Sequence, residues 1–272
     1  MGRDPIESTK IDFYRWGRVV MKFSYNGAIT EATGNTLITD GWLKGSGIFE
    51  TIKTVDGKPW ALSRHMRRAV NSATKLNLAL PNEETLRNAI DELLAVENHS
   101  LGALRVSFDS NGNWAAVHNH YEEKSKAAKL TVVTNSLISD GTPMKTFPYD
   151  HRLQILNKVV AEGFDEAIVV NANNKVCEGA VTNLLFQIDN KWCTPPLSDG
   201  VLPGVMRALV VEYLKVQVRS IDYEEIAAIQ SGFLLSSLRI AQPIAAIGPR
   251  NLSSSDDFGD EIRAMALQTS VG

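Results

Sequence analysis

The segment MKTFPYDHRLQILNKVVAEGFDEAIVVNANNKVCEGAVTN, Met144 to Asn183, reads as loop, helix, strand and loop in close succession. Lys145 stands at the mouth of a loop among Thr, Pro and aromatic residues. Leu153, Leu156, Val159 and Val160 recur at i, i+3, i+6 and i+7, which predicts a helix over Arg152–Glu162. Gly163 occupies the position of a glycine that ends a helix. Ala167–Val170 is a short apolar run bounded by Asn171–Asn174, so it reads as a strand and turn. Glu178-Gly179 then precede Asn183 and a further apolar strand, Leu184–Ile188.

Working outward, the chain upstream is rich in hairpin signals. Asn26-Gly27 separates Val19–Tyr25 from Ala28–Thr30, and Asp56-Gly57 turns Ile48–Val55 into Trp60–Leu62. Asp109 to Gly112 separates Leu104–Phe108 from Ala115–Asn119, and Leu130–Thr134 is another strand. Ser63 is placed to cap a helix over Arg64–Leu76, and Asn82 one from Glu83 to Val96. This half reads as α+β, an antiparallel sheet covered on one side by helices. Residues 135–143 are polar, carry Gly141 and Pro143, and read as an interdomain loop. The expected division is 1–134, 135–143 and 144–272. In the last part Lys191–Thr194, Val216–Ile221, Phe233–Leu235 and Ile244–Ile247 read as strands, with helices over Val205–Leu214 and Asp256–Gln268.

Composition narrows the function. A chain of 272 residues with net charge −3 has no basic surplus for nucleic acid. No apolar run approaches the ~20 residues of a membrane span, and the first residues lack the apolar core of a secretory signal. Two cysteines, Cys177 and Cys193, make no disulfide framework, so a cytoplasmic location is expected. His118-x-His120 puts two imidazoles on one strand face without an evident third metal ligand, so no metal site is expected. Asp165-Glu166 are adjacent on a strand, point to opposite faces and read as structural acids.

Seven pieces recur in an order that resembles a known family. They are Gly45-x-Gly47-x-Phe49-Glu50-Thr51, His65-x-x-Arg68, Lys145-Thr146-x-x-Tyr149, Gly163-x-Asp165-Glu166-Ala167 and Val176-x-Glu178-Gly179-x-x-x-Asn183-Leu184-x-Phe186. Leu202-x-Gly204-x-x-Arg207 and Ser236-Ser237-Leu238-Arg239-x-x-x-Pro243-Ile244 complete the set. From about Asp40 to Ile247 the chain resembles the class IV aminotransferases, the fold-type IV enzymes of pyridoxal 5′-phosphate (PLP).

The resemblance implies a two-domain α+β and α/β fold like that of D-amino-acid aminotransferase. A smaller N-terminal α+β domain would precede a larger C-terminal pseudo-barrel domain, in a homodimer. It also implies roles by position. Lys145 would carry PLP through its amine and move a proton at the reacting carbon. Glu178 would face the pyridine nitrogen with Asn183 beside it, and Tyr149 the ring phenolate. Arg68, the N–H groups of Val205 and Met206, Ser237 and Leu238 would form the phosphate cup. Met206 stands where the family often has Thr, Ala69 where Leu usually follows the arginine, and Pro148 where Asn is common. Lys44 replaces an aromatic residue before Gly45. With Lys53, Arg105, Arg152 and Arg239, it is a candidate for binding a substrate carboxylate.

Three readings of the reaction follow. Phe49-Glu50-Thr51 and Ser237-Leu238-Arg239 look most like aminodeoxychorismate lyases, which release 4-aminobenzoate and pyruvate. The alternative is a transaminase of branched-chain or D-amino acids or (R)-amines. Branched-chain members usually carry Gly-Thr-Ala where this chain has Ser236-Ser237-Leu238. The remote alternative is a protein that holds PLP without catalysis.

Overall fold

The computed structural model describes residues 22–31, 42–134 and 143–270. The interdomain loop expected at 135–143 lies, apart from Pro143, outside the described residues.

The expected hairpins form. Strands β1 (Lys22–Tyr25) and β2 (Ala28–Glu31) join through Asn26 and Gly27, both at positive φ, the backbone that a two-residue hairpin turn requires. Asp56 and Gly57 do the same between β3 (Gly47–Val55) and β4 (Lys58–Pro59). Helices α1 (Leu62–Leu76) and α2 (Glu83–Val96) follow, then β5 (Leu101–Asp109), β6 (Trp114–His120) and β7 (Ala128–Thr134). Beyond the undescribed segment come β8 (Thr146–Phe147), α3 (Asp150–Ala161), β9 (Glu166–Val170), β10 (Asn183–Ile188) and β11 (Lys191–Thr194). The remainder is α4 (Val205–Tyr213), β12 (Gln217–Val218), β13 (Ser231–Ser236), β14 (Ile240–Ile247), β15 (Arg250–Asn251) and α5 (Asp256–Gln268).

Two sheets result. The first runs β2-β1-β6-β5-β3-β4 with β8 also on β3; the second runs β12-β11-β10-β13-β14-β7-β9 with β15 on β14. Strand β7 precedes residues 135–142 yet pairs in the second sheet, parallel to β9 and β14. Strand β8 follows them yet returns to the first, pairing Phe147 with Gly47 and Thr146 with Ile48. The chain thus crosses between sheets on both sides of this segment, and a cut at 134 and 144 does not follow the division between sheets.

Each sheet buries one face under helices. Ile52 and Leu104 of the first pack against Ile90 and Leu93 of α2 and Met66 and Ala69 of α1. Leu185 and Phe233 of the second pack against Leu209 and Val210 of α4 and Ile262 of α5. Each such fully buried aliphatic side chain contributes roughly 1.5–3 kcal/mol.

Several local expectations are corrected. Helix α1 begins at Leu62, with Ala61 as its cap at φ 52° and no side-chain cap. Ser63 lies inside the first turn, where its hydroxyl accepts from Arg87 Nη2 at 2.9 Å. The reason is tertiary: Ala61 N donates to Ser270 O and Trp60 Nε1 to Ala266 O, which dock this corner on the C-terminal helix. Trp60–Leu62 is therefore not a strand. Only Gln217–Val218 of the run Val216–Ile221 is extended, because its pairing reaches just Cys193 and Thr194. The Asn82 cap forms as expected, its side chain accepting from Thr85 N at 2.8 Å. Gly163 follows α3 at φ 90°, as its position predicts.

The structural acids are where the sequence puts them. Glu166 is fully buried and accepts from Ala167 N, Ala180 N and the Thr182 hydroxyl; Asp165 accepts from Lys129 N. His118 is engaged by the Thr54 hydroxyl and Glu97 O, and among the described residues no cluster fits a metal.

Candidate active site

A cavity of about 390 Å³ opens between the two sheets, walled by Thr51 and Arg105 of the first and by Asn183 and Leu235 to Ser236 of the second. Lys145 reaches into it. Its backbone is fixed by the return of β8 to the first sheet, where Lys145 O accepts from Phe49 N at 2.9 Å. Its amine lies 4.4 Å from the Phe49 ring centre and 5.1 Å from that of Tyr149. Burial, reinforced by the Arg68 charge, pushes this amine down to about 7. It is available as a free base near neutral pH, as a nucleophilic lysine must be.

Arg68 lies at one end. On α1, His65, Met66 and Ala69 face inward one turn apart, and Arg68 is carried to the rim of the same face. Its guanidinium grips Glu50 with two donors, Nε to Oε1 at 2.7 Å and Nη2 to Oε2, and Nη1 donates to Pro203 O at 3.2 Å. Burial alone would raise the Glu50 carboxyl, but Arg68 and His65 outweigh it and hold it at about 2. Burial pushes His65 down, against the pull of Glu50. His65 Nδ1 and Glu50 Oε2 are 2.7 Å apart, and since an ionised carboxylate only accepts, Nδ1 carries the proton. Nε2 then accepts from the Ser237 hydroxyl at 2.9 Å. One buried line, Arg68–Glu50–His65–Ser237, joins two residues that the sequence assigns to the phosphate cup. The sequence shows Glu50 and His65 only as motif letters.

Helix α4 begins at the same end. Its cap is Gly204, without a side-chain cap, and Gly204, Val205 and Met206 line the cavity. A Cβ on Gly204 would fall 1.8 Å from Asn183 Oδ1, so the approach of the helix start to Asn183 needs glycine here. Leu238 lines the wall next to Ser237.

Glu178 also lines the cavity, with only 2 % of its surface exposed. Oε2 accepts from Asn183 Nδ2 at 2.9 Å and Leu202 N at 3.0 Å; Oε1 accepts from Arg152 Nη2 at 2.5 Å. Burial raises the Glu178 carboxyl above its ordinary value, and Arg152 and these donors pull it only part of the way back. Tyr149, at the start of α3, packs edge-on against Phe49 and Trp42.

The carboxylate-binding candidates separate. Arg105 lines the cavity, its guanidinium 4.8 Å from the Trp42 ring centre, and Asn119, His120 and Tyr121 continue that wall. Sequence reasoning passed over Asn119 and Tyr121 and weighed His120 only as half of a metal pair. The signal for Asn119 was the strand alternation that puts it on the same face as Arg105, through the pairs Arg105–Val117 and Ala103–Asn119. Lys44 is exposed and Lys53 pairs with Glu123 at 2.5 Å; neither lines the cavity. Arg239 lines it with Nη1 on Gln242 Oε1. Arg152 lines it too, but is spent on Glu178.

This donor set fits PLP: an arginine, an uncapped helix start and a hydroxyl for a phosphate, a buried carboxylate for a pyridine nitrogen, and a desolvated amine in the same cavity. The comparisons agree. The chain is 27% identical over 221 residues to a Methanocaldococcus jannaschii protein provisionally named a branched-chain-amino-acid aminotransferase, covering 72% of this chain and 75% of that one. It is 25% identical over 232 residues to the aminodeoxychorismate lyase of Vibrio harveyi, covering 76% and 85%. Its fold matches the branched-chain aminotransferase of Thermoproteus uzoniensis with a TM-score of 0.80 at 22% identity, over 92% of this chain and 96% of that one. Residues 47–247 match the family Amino-transferase class IV, to which the chain therefore belongs: it is a PLP-dependent enzyme of fold type IV.

Proposed function

We propose that this enzyme is a 4-amino-4-deoxychorismate lyase, and that the site residues act as follows. Arg68, the Val205 and Met206 N–H groups, Ser237 and Leu238 hold the cofactor phosphate. Glu178, set by Asn183, holds the pyridine nitrogen protonated, and Tyr149 donates to the ring phenolate. When bound, PLP supplies an electron sink for negative charge at the carbon bearing the substrate amine. Lys145 takes the proton from that carbon; the C–O bond on the adjacent ring carbon then breaks, enolpyruvate leaves and takes up a proton at its methylene carbon to become pyruvate, and the ring becomes aromatic. Arg105, with Asn119 and Tyr121 beside it, meets a substrate carboxylate.

The observation that carries this reading is the pairing, across one cavity, of an amine at about 7 with a buried carboxylate. Tyr149, which lines the cavity backed by Phe49 and Trp42, and the Ser236-Ser237-Leu238 run favour the cyclic substrate. The test is pyruvate release from aminodeoxychorismate, monitored through coupled NADH oxidation by lactate dehydrogenase.

The second reading, transamination, is supported by the likeness to the M. jannaschii protein. Here Lys145 moves a proton between two carbons instead of triggering departure of a leaving group. An amine donor that bleaches the bound cofactor without pyruvate release from aminodeoxychorismate selects it. We further infer a cytoplasmic homodimer, to be checked by light scattering. No helix among the described residues is long and apolar enough to cross a membrane.

A further inference from the structure

Arg152 has no role in the reading above. It sits in the first turn of α3, seven residues after Lys145 and three after Tyr149, so one short run delivers three groups to the cavity. Its guanidinium is mostly buried, with 13% of the side chain exposed against 3% for Glu178. Nη2 donates to Glu178 Oε1 at 2.5 Å, and Nη1 to Gly179 O at 3.3 Å. The pair is thus anchored at both the carboxylate and the backbone that follows it. Among the described residues, Arg152 is the one cation in ion-pair contact with Glu178. The other contacts on that carboxylate, Asn183 Nδ2 and Leu202 N, are neutral donors.

We propose that Arg152 is a positioning residue of this enzyme, which keeps Glu178 ionised and aimed as the partner of the pyridine nitrogen. The inference rests on the reading of Glu178 given above. A carboxyl buried as deeply as Glu178 favours its neutral form unless a cation stands against it. A neutral carboxyl would offer a proton to the pyridine nitrogen rather than accept one from it, and the ring would lose its electron sink. Arg152 prevents this while leaving Oε2 to Asn183 and Leu202, which fix the plane of the carboxylate. The other charged or titratable groups that act on Glu178 are Lys145, Arg68 of α1, Arg207 of α4 and the neighbouring Cys177. None is in hydrogen-bond contact with it among the described residues. The same guanidinium is therefore not free to bind a substrate carboxylate.

The test measures the dissociation constant for PLP from the apo-protein, by tryptophan quenching, across pH 6 to 8.5. The set is wild type, Arg152→Gln, Arg152→Lys, Glu178→Gln and the double variant Arg152→Gln/Glu178→Gln. Loss of the cation moves the Glu178 titration further up. The ratio of the Arg152→Gln constant to the wild-type constant, in which the Lys145 titration cancels, should be at least about tenfold at pH 6 and shrink as pH rises. Arg152→Lys should stay within about threefold of wild type, and Arg152→Gln should change affinity less than about twofold once Glu178 is Gln. A ratio independent of pH, an equal loss in Arg152→Lys, or an undiminished effect in the Glu178→Gln background would each overturn the proposal. Failure of the reading beneath it looks different: wild-type protein would then bind no PLP, or Glu178→Gln would turn over at the wild-type rate.

Discussion

Glu50→Gln removes the charge at the centre of the Arg68–Glu50–His65–Ser237 line while keeping its shape. Glu50 is 1% exposed and its carboxyl is held at about 2 instead of the ordinary 4.5. That depression corresponds to about 3 kcal/mol of folding stability at pH 7, the size expected when one partner of a buried pair is lost. The sign follows from the direction. A carboxyl depressed in the folded state stabilises fully above its unfolded value near 4.5, and the contribution fades as pH falls from there toward 2. Urea denaturation of apo-protein should place the variant about 3 kcal/mol below wild type at pH 7 and nearly as far below at pH 5. At pH 3 the gap should shrink to less than half. A variant within about 0.5 kcal/mol of wild type at pH 7, or a gap that stays constant down to pH 3, would refute the reasoning.

Other consequences are direct. The rate at which PLP attaches to apo-protein should rise with pH through about 7 and then level off, since the Lys145 amine is free above that point; a rate still climbing toward pH 10 would mean an ordinary lysine. Glu178→Gln should retain PLP and lower kcat about 100-fold or more, measured on whichever substrate the enzyme accepts. Gly204→Ala puts a methyl group 1.8 Å from Asn183 Oδ1, at a φ of −69° that alanine tolerates, so thermal melting should show a loss of about 1–3 kcal/mol from crowding. An unchanged melting temperature would mean that Asn183 moves aside freely.

What the sequence made legible was local. Asn26-Gly27 and Asp56-Gly57 announce their hairpins because few residue pairs accept positive φ twice in succession. Asn82 marks the start of α2 because its cap is made within four residues. Sheet membership was not legible. Strand β7 has the same apolar character as its predecessors, and only its parallel partners Glu166–Val170 and Ile244–Ile247, far along the chain, place it in the second sheet. The site divides in the same way. Lys145, Glu178, Arg68 and Ser237 were singled out through the motifs that resemble the class IV aminotransferases. The occupation of Arg152 by Glu178 and of Lys53 by Glu123 was not, because the partners stand 26 and 70 residues apart and meet only through tertiary packing. A list of cations near a motif therefore overcounts the groups free to meet a substrate.

The central claim is that Lys145 is the residue that carries the cofactor. Purified protein loaded with PLP, reduced with borohydride and digested, should yield the phosphopyridoxyl group on a single peptide, at Lys145, with the label absent from Lys145→Ala. Label on another lysine, or none despite saturation with PLP, would contradict the account at its base.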